Sequence, residues 1–160
     1  MAIERTFVAL KPDAVQRGLM GEIISRFEKV GLKIIGMKMV LMDKKFSEKH
    51  YAAHLKKDFY KSLETFMTSG PVIAICLEGL HSVELVRKIV GHTLPLESAP
   101  GTIRGDYSFD SSLLANSSKR AIKNLVHASG SKEEADYEIP LWFETSELVK
   151  YKRVDEDIIG

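Results

Sequence analysis

The chain has 160 residues, of which 44% are hydrophobic, and this length suits one domain with a substantial buried core spanning residues 1–160. Lys and Arg number 23 against 22 Asp and Glu, a balance that argues against a dedicated nucleic-acid or membrane-surface protein. Cys76 is the single cysteine, so no internal disulfide can form. No apolar run is long enough for a signal peptide or a membrane-spanning helix, and the expected compartment is the cytoplasm.

The chain opens with a predicted strand and a predicted helix. The β-rich run over residues 6–10 indicates a core strand, which ends because Pro12 cannot continue a central strand. Lys11 is thereby carried at a strand end. An apolar face recurs at helical spacing over residues 21–30, and Gly31 can cap the helix that this pattern predicts.

Residues 33–41 alternate between apolar and other positions, which predicts a strand with one buried face. That face carries Ile35, Met37, Met39 and Leu41. A helical pair follows over residues 47–55, where Ser47 can provide the N-cap, and over residues 59–67.

The most continuous apolar run covers residues 72–77 and predicts a buried central strand. A helix is expected over 82–90, capped by Ser82, with Arg87 near its buried side. Residues 92–123 show little regular pattern, and a loop of that length is usually functional or disordered. Within it lies Arg104 in a Pro- and Gly-rich turn, a placement that suits bidentate phosphate binding.

His127 ends a short apolar strand and precedes a helix predicted over residues 132–138. Ser131 and Glu134 have capping-box spacing at its start. The free N–H groups and dipole of a helix start favour an anion, and an imidazole with an ordinary pKa of about 6.5 is largely neutral and nucleophilic. This arrangement predicts a histidine that accepts a phosphoryl group; the alternative is a strand-end histidine satisfied by a nearby carbonyl.

The element order is strand, helix, strand, helical pair, strand, helix, long loop, strand, helix. Without the helical pair and the last helix this is βαββαβ, which predicts an α+β, ferredoxin-like fold. We expect a four-stranded antiparallel sheet covered by helices, with the helical pair and a C-terminal extension added. Residues 144–160 are expected to wrap over the domain or over a neighbouring subunit.

Seven candidate site residues combine three cations, three neutral hydrogen-bonding groups and one nucleophile. They are Lys11, Arg87, Arg104, Tyr51, Thr93, Asn124 and His127. Such a set suits phosphoryl transfer, which depends on positioning and on neutralising oxygen charge. The sequence has neither a P-loop nor a kinase Gly-rich loop, and a covalent histidine intermediate would supply another route.

Seven motifs follow one another along the chain. They are Glu4-Arg5-Thr6-Phe7, Lys11-Pro12-Asp13, Gln16-Arg17-Gly18, His50-Tyr51, Ser69-Gly70-Pro71-Val72, Pro100-Gly101-Thr102-Ile103-Arg104-Gly105-Asp106 and Asn124-x-x-His127-Ala128-Ser129. In their order and spacing they resemble the nucleoside diphosphate kinases over nearly the whole chain. The resemblance implies transfer of the γ-phosphate of a nucleoside triphosphate to a nucleoside diphosphate by a ping-pong mechanism.

The resemblance also implies individual roles. His127 corresponds to the residue that becomes phosphorylated, Glu138 to the carboxylate that helps to hold it, and Ser129 to its hydroxyl neighbour. Phe59 corresponds to the aromatic residue that stacks on the base, with Leu63 beside it. The phosphate- and sugar-binding groups correspond to Lys11, Tyr51, Arg87, Thr93, Arg104 and Asn124.

Further implications concern partners. Mg²⁺ is expected mainly on the nucleotide phosphates, with no metal-ligating residue assigned on the protein. Nucleoside di- and triphosphates are the expected ligands, and the chain is expected to form a homo-oligomer, a hexamer by preference or a tetramer. Neither a membrane nor a nucleic acid is an expected partner.

Two departures from the family pattern stand out. Gly130 occupies a position where the family commonly has an Asp associated with water-mediated help to the metal, and Glu133 or Glu134 are candidates to replace it. Residues 108–123 are longer than in the common form, and they could reshape the sugar pocket or the subunit contacts. Two rival functions are a non-enzymatic ferredoxin-like binding module and a family member that has lost catalysis.

Overall fold

The sheet has four strands in a computed structural model that describes residues 3–159. The strands are β1 (Ile3–Leu10), β2 (Lys33–Leu41), β3 (Pro71–Leu80) and β4 (Val126–Ala128). Their order across the sheet is β2-β3-β1-β4, and each neighbouring pair is antiparallel. The predicted four-stranded ferredoxin-like sheet is confirmed, and the short β4 lies at one edge beside β1.

Helices cover both faces of this sheet. They are α1 (Pro12–Gln16), α2 (Met20–Lys29), α3 (Lys44–His50), α4 (Tyr60–Met67), α5 (Ser82–Val90), α6 (Ile103–Tyr107), α7 (Ser112–Ser117), α8 (Lys132–Trp142) and α9 (Glu156–Ile159). Short 3₁₀ turns occupy Ala52–His54, Pro95–Glu97 and Thr145–Glu147. Phe27 of α2 and Val86 of α5 belong to the apolar cluster on one face, whereas Tyr60 of α4 and Trp142 of α8 belong to the cluster on the other.

The predicted buried face of β2 is wrong for three of its four residues. Ile35 is buried, but Met37, Met39 and Leu41 are 54%, 57% and 75% exposed. A β-bulge between Ile34 and Gly36 interrupts the alternation, because a bulge adds a residue and turns the following side chains to the other face. β2 is also an edge strand, because among the described residues it pairs with β3 on one side and with no strand on the other.

Two predicted helix starts need correction. The helix expected from Ser47 begins at Lys44, because the Asp43 carboxylate accepts a hydrogen bond from the Phe46 N–H at 2.7 Å. At α5 the residue before the helix is His81, in a left-handed conformation with φ 51°, and Ser82 is already the first helical residue.

Several helical stretches were not expected, among them the short helices α1 and α9. The irregular stretch over residues 92–123 contains α6 and α7. α8 runs beyond its predicted end and continues through Pro140, after which the Phe143 N–H still donates to the Ile139 carbonyl. Packing of the Trp142 indole on the Phe7 ring, with centroids 5.0 Å apart, stabilises this extra turn.

The C-terminal residues wrap over the same chain. The Val149 N–H donates to the Ile35 carbonyl, and Arg153 donates to the Leu32 carbonyl at 3.0 Å. Cys76 is buried in the sheet, where it packs as a small apolar residue as expected. No described helix is both long and apolar enough to cross a membrane.

Candidate active site

His127 lies in the middle of β4, opposite Ala9 of β1. Just before it, Leu125 adopts a left-handed φ of 69°, and its carbonyl accepts a hydrogen bond from the Lys11 N–H at 2.8 Å. This bond ties the strand end that carries Lys11 to the strand that carries His127. The His127 side chain remains 21% exposed, so a ligand can reach the imidazole.

One edge of the His127 ring is held by a buried hydrogen-bonded chain. Nε2 of His127 lies 2.5 Å from Oε2 of Glu138, and Oε1 of Glu138 accepts a hydrogen bond from the Ser129 hydroxyl at 2.8 Å. Glu138 comes from α8, which Ser131 caps by accepting from the Glu134 N–H, as its sequence spacing predicts. Within residues 3–159 the other ring nitrogen, Nδ1, has no hydrogen-bonding partner, so it is the nitrogen left to react.

A second imidazole supports the first. The His50 ring meets His127 edge to face with centroids 4.7 Å apart, and its Nδ1 accepts the Trp142 indole N–H at 3.0 Å. Burial, followed by repulsion from His127, lowers the pKa of His50 to about 3, so the ring is neutral. Sequence reasoning used His50 only as part of a motif, because nothing local in the sequence indicates that it meets residue 127.

The Lys11 ammonium lies beside the amide of Asn124. Lys11 Nζ donates to Asn124 Oδ1 at 2.7 Å, and the Asn124 amide donates to the Thr93 carbonyl at 2.9 Å. Burial, followed by repulsion from Arg104, lowers the pKa of Lys11 to about 8. These residues were predicted from distant parts of the chain, and the structure brings them together in one hydrogen-bonded row.

Arg104 is only 3% exposed, and it bonds more backbone groups than its sequence context indicated. Its guanidinium donates to the carbonyls of Asn124 at 3.0 Å, Gly91 at 3.1 Å and Val126 at 2.5 Å. Two of these carbonyls, those of Asn124 and Val126, come just before His127 in the chain, so Arg104 fixes the backbone that leads into His127. Arg87 is less constrained, with one contact from Nη1 to the Ala128 carbonyl at 3.4 Å.

The electrostatic environment keeps the His127 ring neutral. Burial is the largest cause that lowers its pKa to about 3, and Lys11, Arg104 and Arg87 act in the same direction against Glu134. Burial in turn raises the pKa of Glu138 above its ordinary value. A neutral imidazole with a free Nδ1, surrounded by three cations, can attack an electrophilic phosphorus atom.

An open cleft of about 710 Å³ leads away from this centre. Its inner end holds Lys11, Thr93 and Asn124, and its outer part has apolar lining from Phe59 and Leu63. The Phe59 ring is 51% exposed and available for stacking.

Tyr51 is a wall of the catalytic centre rather than of this cleft. Its ring centroid is 6.4 Å from that of His127, and its hydroxyl is buried without a hydrogen-bonding partner among residues 3–159. Burial raises the pKa of Tyr51, so the phenol keeps its proton.

The side chains near Gly130 bear on metal binding. The Gly130 N–H donates to Glu134 Oε2 at 2.7 Å, and a Cβ atom at residue 130 would lie 3.0 Å from that oxygen. The Glu134 carboxylate therefore fills the space beside Gly130. A separate cluster of His50, His127 and Glu138 has metal-ligand types, but Mg²⁺ prefers six oxygen ligands and these three groups already bond to one another or to Trp142.

Comparison with known proteins relates nearly the whole chain to one family. A family-wide sequence model described as "Nucleoside diphosphate kinase" matches residues 4–148. A nucleoside diphosphate kinase of Pyrococcus horikoshii is 53% identical over 94% of this chain and 91% of its own length, and one of Archaeoglobus fulgidus is 47% identical over 98% and 97%.

Solved structures agree with the sequence comparison. A structure of the Borrelia burgdorferi enzyme, described as a transition-state mimic with bound vanadate and ADP, has a TM-score of 0.92 and 41% identity, covering 96% of this chain and 95% of that one. The Halobacterium salinarum enzyme in complex with CDP has a TM-score of 0.89 and 42% identity, with 99% of each chain covered.

Proposed function

The chain belongs to the nucleoside diphosphate kinase family, and we propose that it moves the γ-phosphate of a nucleoside triphosphate onto a nucleoside diphosphate through a phosphohistidine at His127. The observation that carries this proposal is the state of the imidazole. Nε2 bonds to Glu138, Nδ1 has no partner among residues 3–159, and three cations face the ring. The Borrelia structure, described as a transition-state mimic, holds vanadate and ADP, which supports a phosphoryl-transfer site in this family.

In the first half-reaction the Nδ1 lone pair attacks the γ-phosphorus atom. The bond from that phosphorus to the β–γ bridging oxygen breaks, and the nucleoside diphosphate leaves with the electron pair. Phosphorylation makes the imidazole cationic, and the Glu138 carboxylate at Nε2 compensates that charge. In the second half-reaction a terminal oxygen of another diphosphate attacks the same phosphorus and releases neutral His127, so one site used twice gives ping-pong kinetics.

The remaining groups bind and orient the nucleotide. Lys11, Arg87 and Arg104 neutralise phosphate oxygens, and Arg104 has N–H groups left after its three carbonyl bonds. Asn124 and Thr93 lie beside Lys11, where they reach sugar or phosphate oxygens. Phe59 and Leu63 provide stacking contact, which every base can accept, and broad base acceptance is therefore the starting expectation.

Mg²⁺ fits this site as an ion bound mainly to the phosphates of the nucleotide. When bound to the phosphates it supplies charge neutralisation. The exposed Glu134 carboxylate is the oxygen group next to Gly130, and it is the residue we assign to contact the water shell of the metal. The His50–His127–Glu138 cluster is excluded from this role by its donor types.

The whole chain acts, in this proposal, as one kinase domain over residues 1–160 that assembles into a homo-oligomer in the cytoplasm. Support for assembly comes from β2, an edge strand with Met37, Met39 and Leu41 exposed. Contiguous apolar side chains on a sheet edge favour pairing with another copy. A hexamer remains our preferred assembly over a tetramer. The buried, unpaired Cys76 agrees with a reducing compartment.

Incubation with ATP labelled at the γ-phosphate tests the proposed function. We expect an acid-labile, base-stable label on the protein that any nucleoside diphosphate discharges, and no label on His127→Ala. His81→Asn is the matched control, because it removes an exposed histidine while keeping a residue that tolerates its left-handed φ of 51°. An unlabelled wild type would instead support a binding module or a catalytically inactive family member.

A further inference from the structure

The nucleotide cleft has a second wall, formed by residues of the longer segment between Ala115 and Ile122. Ala115 and Ile122 contribute apolar lining there, and Lys119 lines the cleft with them. The base of this wall is anchored by Asp110, which is 4% exposed and accepts two hydrogen bonds from the Arg120 guanidinium, at 2.5 and 3.0 Å. The wall is therefore a built part of the cleft.

The backbone at Lys119 is unusual for a lysine. Its φ of 49° is left-handed, and it occupies the position after α7 where Gly or Asn is preferred. The Arg120 N–H donates to the Ala115 carbonyl and the Lys119 N–H to the Asn116 carbonyl, which is the Schellman pattern. Because this backbone conformation favours glycine, the presence of a lysine here indicates a role for its side chain.

Lys119 is also the cation left available on this wall. Arg120 uses its guanidinium on Asp110 and on the Ala121 carbonyl. Within residues 3–159 the Lys119 ammonium takes part in no ion pair or hydrogen bond, although Asp58 lines the same cleft. Its three N–H donors can therefore serve a ligand.

The position of Lys119 in the cleft determines which part of the nucleotide it contacts. Lys11, Thr93 and Asn124 occupy the end near His127, which the phosphates take in the proposed reaction. Phe59 and Ile122 provide apolar surface in the same cleft, which suits the flat base. We propose that the Lys119 ammonium donates a hydrogen bond to the edge of the bound nucleobase. The cleft would then prefer bases that present a carbonyl oxygen at that edge.

The Lys119 ammonium can donate hydrogen bonds but cannot accept them, and this determines which bases it prefers. It can donate to the 6-oxo group of hypoxanthine or guanine and to the 4-oxo group of uracil or thymine. Adenine and cytosine carry an amino group at the same positions, which cannot accept its hydrogen bond. This inference rests on the proposed function for the orientation of the nucleotide, whereas its test can be made by binding alone.

Two pairs of diphosphates isolate the edge group. IDP and ADP differ at position 6 of the purine and in the proton on the adjacent N1, and UDP and CDP differ in the same way at position 4 and N3 of the pyrimidine. Single-turnover discharge of the phosphoenzyme gives kcat/KM for each, and calorimetric titration of the unphosphorylated protein gives each Kd. A net hydrogen bond predicts IDP/ADP and UDP/CDP ratios of about two- to tenfold in the wild type.

Variants at Lys119 test the cause of the ratios. Lys119→Gly removes the donor and relieves the left-handed backbone, so both ratios should fall to about one without a lower Tm. Lys119→Glu replaces a donor by an acceptor and should invert both ratios. Lys123→Ala is the charge control, because Lys123 lies in the same segment but outside the lining of this cleft, and it should keep the wild-type ratios.

Ratios near one in the wild type, or ratios unchanged in Lys119→Gly, would overturn the proposal. A wild-type preference for ADP and CDP would overturn it as well and would point to the Asp58 carboxylate as the reader of the base. A protein that never becomes phosphorylated would refute the proposed function, yet the Kd ratios would still decide the role of Lys119.

Discussion

Arg104 should be as important for stability as for activity. Its guanidinium is 3% exposed and bonds the carbonyls of Gly91, Asn124 and Val126, which come from two separate parts of the chain. Arg104→Ala removes a donor from all three carbonyls, of which that of Asn124 keeps a second bond from the Val126 N–H, and it opens a cavity, so we expect a loss of about 3–5 kcal/mol in the free energy of unfolding. For a chain of this size that corresponds to a fall in Tm of about 6–20 °C.

Thermal and urea unfolding at one fixed protein concentration, with nucleotide absent, measure this loss. Arg87→Ala is the control, because Arg87 has a single 3.4 Å backbone contact and should cost activity with little change in Tm. Arg104→Lys should recover little stability, since one ammonium cannot span three carbonyls arranged around a planar guanidinium. A Tm for Arg104→Ala within about 2 °C of the wild type, a shift worth under 1 kcal/mol, would refute this reasoning.

Three further predictions concern charge, the cleft wall and assembly. Because the pKa of Lys11 is about 8, kcat/KM for the nucleoside triphosphate should fall as pH rises through 8, where the ammonium loses its proton, and Lys11→Arg should move that fall to higher pH; a flat profile up to pH 9.5 would contradict this. Asp110→Asn weakens the Arg120 anchor and should speed hydrogen exchange over residues 111–122 and raise KM for diphosphates, as mass spectrometry and steady-state kinetics can show; unchanged exchange would contradict it. Met39→Lys places a charge on the exposed face of β2 and should give smaller species in sedimentation; an unchanged sedimentation coefficient would exclude that face as the interface.

Strand and helix positions were largely readable from periodicity. The predicted bounds of β2 are those observed, and α2 differs from its prediction by one residue at each end. Both elements carry several apolar residues at a regular spacing, and a regular spacing is what such reasoning detects. The site residues could be named because they lie at the ends of these elements, within motifs of fixed spacing.

The failures have a common physical cause in contacts between distant residues. The bulge at Ile34 and Gly36 depends on pairing with β3, and no local pattern indicates it. The last turn of α8 continues past Pro140 because Trp142 packs on Phe7, more than a hundred residues earlier in the chain. The backbone role of Arg104 was hidden likewise, because its three acceptors lie 13, 20 and 22 residues away.

The buried cations of the site serve both function and stability, and burying their charge is unfavourable. Burial lowers the pKa of Lys11 to about 8 and that of Arg104 to about 10, which means that the folded protein disfavours both charges. Asp13 is the carboxylate that opposes these shifts, and burial raises its own pKa. The ligand-free centre is therefore short of negative charge, and a polyphosphate supplies what is missing. Burial is the main reason that His127 stays neutral, and the same imbalance adds to it, so the charges that attract the nucleotide also help to preserve the lone pair that attacks it.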